Sequence, residues 1–199
     1  MRPLVVWAFT NGELPRPTGL CTVSPNGVAV VWPGPSYRIA NVNPRDALSH
    51  AQGSHVTRFS CRPVMRDDQG TIYCKLSAPT LHYDAAKVLR AFARRAALDV
   101  ADVWDAPSEI RTYLRTGTRK LADVAWVAAA SAARRAKPGV VAMAARSAAA
   151  AANPHHPPWD AAYNAVTEAL GAIGGMQSEQ GRQQQRARFT RMLRSGAPS

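Results

Sequence analysis

The sequence predicts an α+β protein. A small antiparallel β portion spans residues 1–82. A dominant alanine-rich antiparallel helical bundle spans residues 83–199 and ends in a basic helix. Three observations carry this expectation. Before residue 82, short apolar runs alternate with turn residues. Over residues 85–152 alanine dominates, and larger apolar residues return every three or four positions. Proline and glycine punctuate that stretch, which keeps the helices and their connections short.

Residues 4–9 form an apolar run closed by Asn11-Gly12, a strand followed by a turn. Residues 20–23 and 28–32 flank Ser24-Pro25-Asn26-Gly27. Asn-Gly between two apolar runs signals a hairpin, and Pro33-Gly34-Pro35 ends its second strand. Residues 41–54 are polar, and Asn43 caps a short helix from Pro44 through Leu48. Residues 56–65 and 71–76 flank Asp67-Asp68-Gln69-Gly70 as a second hairpin. There Thr57, Phe59 and Cys61 alternate with Arg58, Ser60 and Arg62, as a strand with one buried face requires. Turn chemistry accounts for the acid pair Asp67 and Asp68. The resulting sheet, of about four to six strands, is too small for much stability alone, so its apolar face is expected to rest on the helical portion.

The first long helix is predicted over residues 83–104, with Val88, Phe92, Ala96, Val100 and Val103 on one face. Asp99, Asp102 and Asp105 make an acidic strip near its end. Arg94, Arg95, Arg111 and Arg115 are at hand to pair with it, and Arg95 precedes Asp99 by four. Ala106-Pro107-Ser108 reads as a stop and an N-cap, Gly117-Thr118 as a second stop, and Pro138 as the first turn of a further helix. Leu121, Val124, Ala125, Ala128 and Ala132 define the expected inner face over residues 121–136. Residues 140–152 form the next helix, and the prolines of residues 153–158 break the chain after it. Residues 159–173 follow, with Tyr163, Val166, Leu170 and Ile173 along one side and Gly171, Gly174 and Gly175 at the end. Phe92, Trp104, Tyr113, Leu114, Trp126, Trp159 and Tyr163 are the expected core anchors, because alanine faces bury little area each.

The last predicted helix, residues 177–194, is the candidate binding element. Arg182, Arg186, Arg188, Arg191 and Arg194 lie on it beside glutamines, and Phe189, Met192 and Leu193 give it a narrow apolar face. Such a helix suits an anionic partner, or docks by its apolar face with its arginines in water. The net charge of +12 and pI near 10.6 favour anionic partners. The charge is spread: residues 1–83 hold eight Lys/Arg against four Asp/Glu, and residues 84–199 hold seventeen against nine.

Cys21, Cys61 and Cys74 are odd in number and form no CxxC, which points to free buried thiols and a cytoplasmic location. No apolar run reaches the ~20 residues that span a membrane, and residues 4–9 are too short for a signal-peptide core. His50, His55, Cys61 and Cys74 share a region without a zinc spacing. His155-His156 are adjacent and point apart. No GxSxG, HExxH or GxxxxGK[ST] occurs. No catalytic, cofactor or metal residue is therefore assigned.

Residues 88–93 (VLRAFA), 110–117 (IRTYLRTG), 126–130 (WVAAA) and 185–193 (QRARFTRML) resemble a group of alanine-rich bacterial immunity proteins. The resemblance implies an all-helical body over residues 87–194 and a role in binding and blocking a protein. The functional expectation is a non-enzymatic binding protein for a protein partner. The alternative is a nucleic-acid-binding protein using the arginine-rich last helix. Self-association through small alanine faces is a further expectation.

Overall fold

The computed structural model describes residues 3–12, 20–31, 38–173 and 179–196. The chain forms two compact units, Met1–Ala85 and Ala86–Ser199. Trp32, Pro33-Gly34-Pro35, Gly174, Gly175 and Gln177, named above, lie outside the described residues.

In the first unit, strands β1 (Leu4–Thr10), β2 (Leu20–Val23), β3 (Val28–Val31), β4 (Arg38–Asn41), β5 (His55–Arg66) and β6 (Ile72–Asp84) close into an antiparallel barrel, ordered β1-β4-β3-β2-β6-β5. This corrects the expected small β portion. Two features close the ring, and both escaped the sequence pattern. No apolar run or turn signal marks β4, yet it pairs with β3 from Val28↔Asn41 to Val31↔Arg38 and meets β1 at Trp7↔Asn41. β6 does not end at Leu76 but stays paired with β5 as far as His55↔Asp84, so the predicted boundary at 82/83 falls inside a strand.

The long β5–β6 ladder shifts register beside Phe59 and between Pro63 and Met65. Such irregularities increase the bend and twist that closure needs. Pro79 faces Phe59, and Pro63 faces Cys74, at those same places, where a sheet tolerates a missing N–H.

The barrel interior gathers Val6, Ala8, Cys21, Val23, Ala29, Ala40, Phe59, Cys61, Cys74 and Leu76. A six-strand ring is narrow, so one phenylalanine is surrounded by alanine, valine and cysteine. The predicted alternation holds: Thr57, Phe59 and Cys61 are buried while Arg62 is exposed. Asn43 caps α1 (Pro44–Ala47) by accepting from the Arg45 N–H at 3.0 Å, and α1 packs against β1 with the 3-10 turn Leu48–His50. Asp67 serves its turn: its Oδ1 accepts from the N–H groups of Gln69 (3.0 Å) and Thr71 (2.8 Å). Gly70, at φ +82°, takes the left-handed position that side chains avoid.

The second unit contains α2 (Ala86–Leu98), α3 (Ser108–Thr116), α4 (Ala122–Arg135), α5 (Val140–Ala152), α6 (Pro158–Ala172) and α7 (Glu179–Ser195). It corrects the expected antiparallel bundle. In a bundle each helix gives one stripe to a shared centre. Here α5 itself occupies the centre, packed against α2, α3, α4 and α6. Ala142, Ala144, Ala145, Ser147, Ala148, Ala151 and Ala152 are therefore buried around most of its circumference. Only small side chains let four neighbours approach one helix that closely. Polar atoms in this centre are satisfied: Ser147 Oγ donates to the Ala165 carbonyl at 2.7 Å and Tyr113 OH to that of Ala151 at 3.3 Å.

Several local expectations shift. α2 ends at Leu98, and a 3-10 turn, Ala101–Trp104, carries the chain on, which leaves Val103 exposed. Ser108 is the first helical residue of α3, not its cap, and Pro107 precedes it. Gly117 ends α3 at φ +69°, donating its N–H to the Tyr113 carbonyl at 2.7 Å. Pro138 stands before α5, whose N-cap is Gly139. Of the expected anchors, Phe92, Tyr113 and Leu114 are buried. Trp104, Trp126 and Trp159 are half-buried, and Tyr163 is exposed. On α4 the inner face is Ala122, Ala125 and Ala129 rather than the valine side, because α4 meets the alanine surface of α5.

Candidate interface for an anionic partner

α7 is amphipathic as its sequence says. Phe189, Met192 and Leu193 are fully buried, and Phe189 stacks on Phe92 of α2 with ring centroids 4.2 Å apart and planes 11° from parallel. That docking decides which way each arginine faces. Arg182 Nη2 lies 2.9 Å from Glu179 Oε2, and Arg186 Nη1 lies 3.8 Å from Glu179 Oε1. Arg188 Nη1 donates to Asp99 Oδ2 at 2.6 Å, and Gln185 Nε2 donates to the same oxygen at 2.9 Å. Arg191 and Arg194 are exposed and meet no carboxylate among the described residues. The five candidate arginines thus divide. Three pair with two carboxylates of their own unit, Arg182 and Arg186 sharing Glu179, and two are exposed.

The structure adds two arginines that α7 alone did not suggest. A depression of about 350 Å³ is lined by Arg95 and Leu98 of α2, Asp99, Leu114 and Arg115 of α3, and Arg188 of α7. Three arginines and one carboxylate thus line the same depression, and Arg188 is the one in contact with Asp99. The sequence placed Arg95 and Asp99 at ion-pair spacing, but Asp99 turns to Arg188, 89 residues further on. No local pattern signals a pairing at that separation. The rest of the acidic strip is held by Arg111, which pairs with Asp102, lies 3.6 Å from Asp105, and donates Nε to the Ala106 carbonyl at 2.7 Å. That group ties the 3-10 turn to α3.

A second concavity, about 480 Å³ between α4, α5 and α6, is lined by Trp126, Arg134, Arg146, Asn153, His156 and Glu168 among others. Its polar groups largely satisfy one another. Arg146 Nε sits 3.0 Å from Glu168 Oε1, and Asn164 donates to Asp160 at 2.9 Å. His156 Nδ1 lies 3.1 Å from Asp160 Oδ2, close enough for an ion pair when protonated but misaligned for a hydrogen bond. His155 meets Trp126 edge-on at 5.6 Å, so the two histidines do point apart. Arg90 fastens the loop beneath them by donating to the Asn153 carbonyl at 2.8 Å and to that of His156.

The cysteines gather inside the barrel. Cys21 and Cys74 are cross-strand partners, and the Cys61 thiol lies beside that of Cys21. All three are free and buried. That thiol contact and burial hold Cys21 well above the ordinary thiol range, and burial followed by the neighbouring Cys61 pushes Cys74 up to about 11. His55 stands six residues, roughly 20 Å of strand, from Cys61 and stacks on His82 instead. The grouping of His50 and His55 with Cys61 and Cys74 therefore does not assemble. Among the described residues no helix is long and apolar enough to cross a membrane. No protein family, curated protein or solved structure matches this chain.

Proposed function

We propose that the chain is a non-enzymatic binding protein that engages an acidic protein surface through the arginine-lined face where α2, α3 and α7 meet. The immunity-like resemblance adds that binding blocks the partner. One observation carries the proposal: Arg95, Arg115 and Arg188 line one open depression with a single carboxylate, Asp99, which is paired to Arg188. A half-exposed ion pair such as Arg188–Asp99 contributes about 0–1 kcal/mol, so a partner's carboxylate can take the arginine over at little cost. A protein partner can also offer Asp99 an amine or amide, satisfying both signs at once. The three unpaired thiols support a reducing, cytoplasmic setting.

The alternative, a nucleic acid lying along α7, draws support from the net charge of +12. It fits this face less well. A phosphate backbone would meet the Asp99 carboxylate among the arginines, and Glu179 already holds Arg182 and Arg186.

Capture from nuclease-treated host extract tests the two. Wild-type protein should retain one acidic protein in stoichiometric amount. The triple variant Arg95→Gln, Arg115→Gln, Arg188→Gln should bind it at least about tenfold more weakly, while Arg182→Gln changes little. Retention of nucleic acid that falls away steeply with salt would replace this proposal with the second reading. Capture unaffected by the triple variant would move the site elsewhere.

A further inference from the structure

α4 buries Ala122, Ala125 and Ala129 and shows its valines. Val124 and Val127 are 56% and 57% exposed. With Asp123, Ala128, Ser131 and Arg135 they line a shallow depression of about 550 Å³. At helical spacing these residues fall within about 140° of arc, a continuous face rather than scattered positions. The face is apolar or small in the middle and charged at its ends. Asp123 stands in the first turn, and Arg134 and Arg135 in the last, about 18 Å away along the helix. None of the three is ion-paired within the chain, among the described residues.

A stripe with opposite charges at its two ends complements its own copy when the copies run antiparallel. We propose that this face of α4 binds the same face of a second copy of the chain about a two-fold axis. Each Asp123 then meets the Arg134–Arg135 end of the other copy, and symmetry supplies the contact twice. Val127 lies opposite Ser131 of the other copy, large against small. Ala128 and Ser131 let the two backbones approach to about 8 Å. A parallel pairing would instead bring like charges together. One helix face falls short of the roughly 800 Å² per partner of a standard stable interface, so the dimer forms in a concentration-dependent equilibrium. The arginine face of α7 takes no part, so this proposal and the one above fail independently.

Sedimentation velocity across a wide concentration series tests it. Wild-type protein should shift from monomer to dimer. Val127→Glu, at an exposed position that leaves the fold intact by circular dichroism, should weaken association at least about tenfold. Asp123→Arg should weaken it too, as should Arg134→Asp with Arg135→Asp, and the three changes together should restore it. The combined variant retains any cost of placing a cation in the first turn of α4, so recovery reports the contact itself. A monomer throughout the series, a dimer indifferent to Val127→Glu, or no recovery in the combined variant would overturn the proposal.

Discussion

Both units build their interiors from small residues, but for opposite reasons. In the barrel, strand number sets the width, and Ala8, Ala29, Ala40 and the three cysteines are what fits around Phe59. In the helical unit nothing fixes the width in advance. The alanines of α5 set it themselves, by allowing four helices to close on a fifth. The barrel is therefore held largely by its ladder and its closure. The helical unit depends on close approach and on a few large side chains. Small side chains thus carry different consequences in the two units.

The sharpest way to break that contrast is Phe92→Ala. Phe92 is fully buried and stacked on Phe189, so it anchors α2 and α7 at once. Its loss should cost the helical unit about 3–5 kcal/mol. Urea denaturation followed at the helical circular-dichroism signal measures this, and a cost under about 1 kcal/mol would show that alanine contacts suffice.

Smaller effects sharpen the comparison. Ala148→Leu overfills the centre of α5 and should cost about 1–3 kcal/mol. Cys21→Ala, which only empties volume in the barrel, should cost about 1 kcal/mol by the same measurement. A neutral Ala148→Leu would reveal spare volume between α5 and its neighbours.

The smallest effect concerns pH. The Gln183 amide, with Arg182 and Arg186 beside it, holds the Glu179 carboxyl below the usual carboxylate range. A depressed folded-state pKa gives a contribution that is present above the unfolded value and lost as pH falls through the folded one. Acidification should thus fray the first turn of α7 before the rest of the helix. Cα chemical shifts followed from neutral to acid pH would show it, and uniform melting along α7 would count against this local role.

Much of the local structure was legible. Asn26-Gly27, the Asp67–Gly70 turn, Gly117 and the prolines of residues 153–158 all stop or turn the chain where the sequence says, because φ preferences and missing donors act within a few residues. The alternation in β5 named its buried face correctly. β4 was not legible, since its four residues are strand only by pairing with β3 and β1. Periodicity picks the wrong face of α4 because it rewards the larger apolar residues, whereas the face packed inward is Ala122, Ala125 and Ala129.

The arginines show the same division. Sequence marked Arg182, Arg186, Arg188, Arg191 and Arg194 as one basic set, since it sees their charge and spacing but not their partners. By itself the sequence determined the helices, most of the strands, the turns and the positive charge, because those follow from nearest-neighbour backbone constraints and from composition. Only the tertiary structure decided that the strands close into a barrel, that α4 leaves its valines outside, and that Arg188 belongs with Asp99, Arg95 and Arg115. Each of these depends on groups far apart in the chain meeting in space, and local propensity carries no information about such meetings.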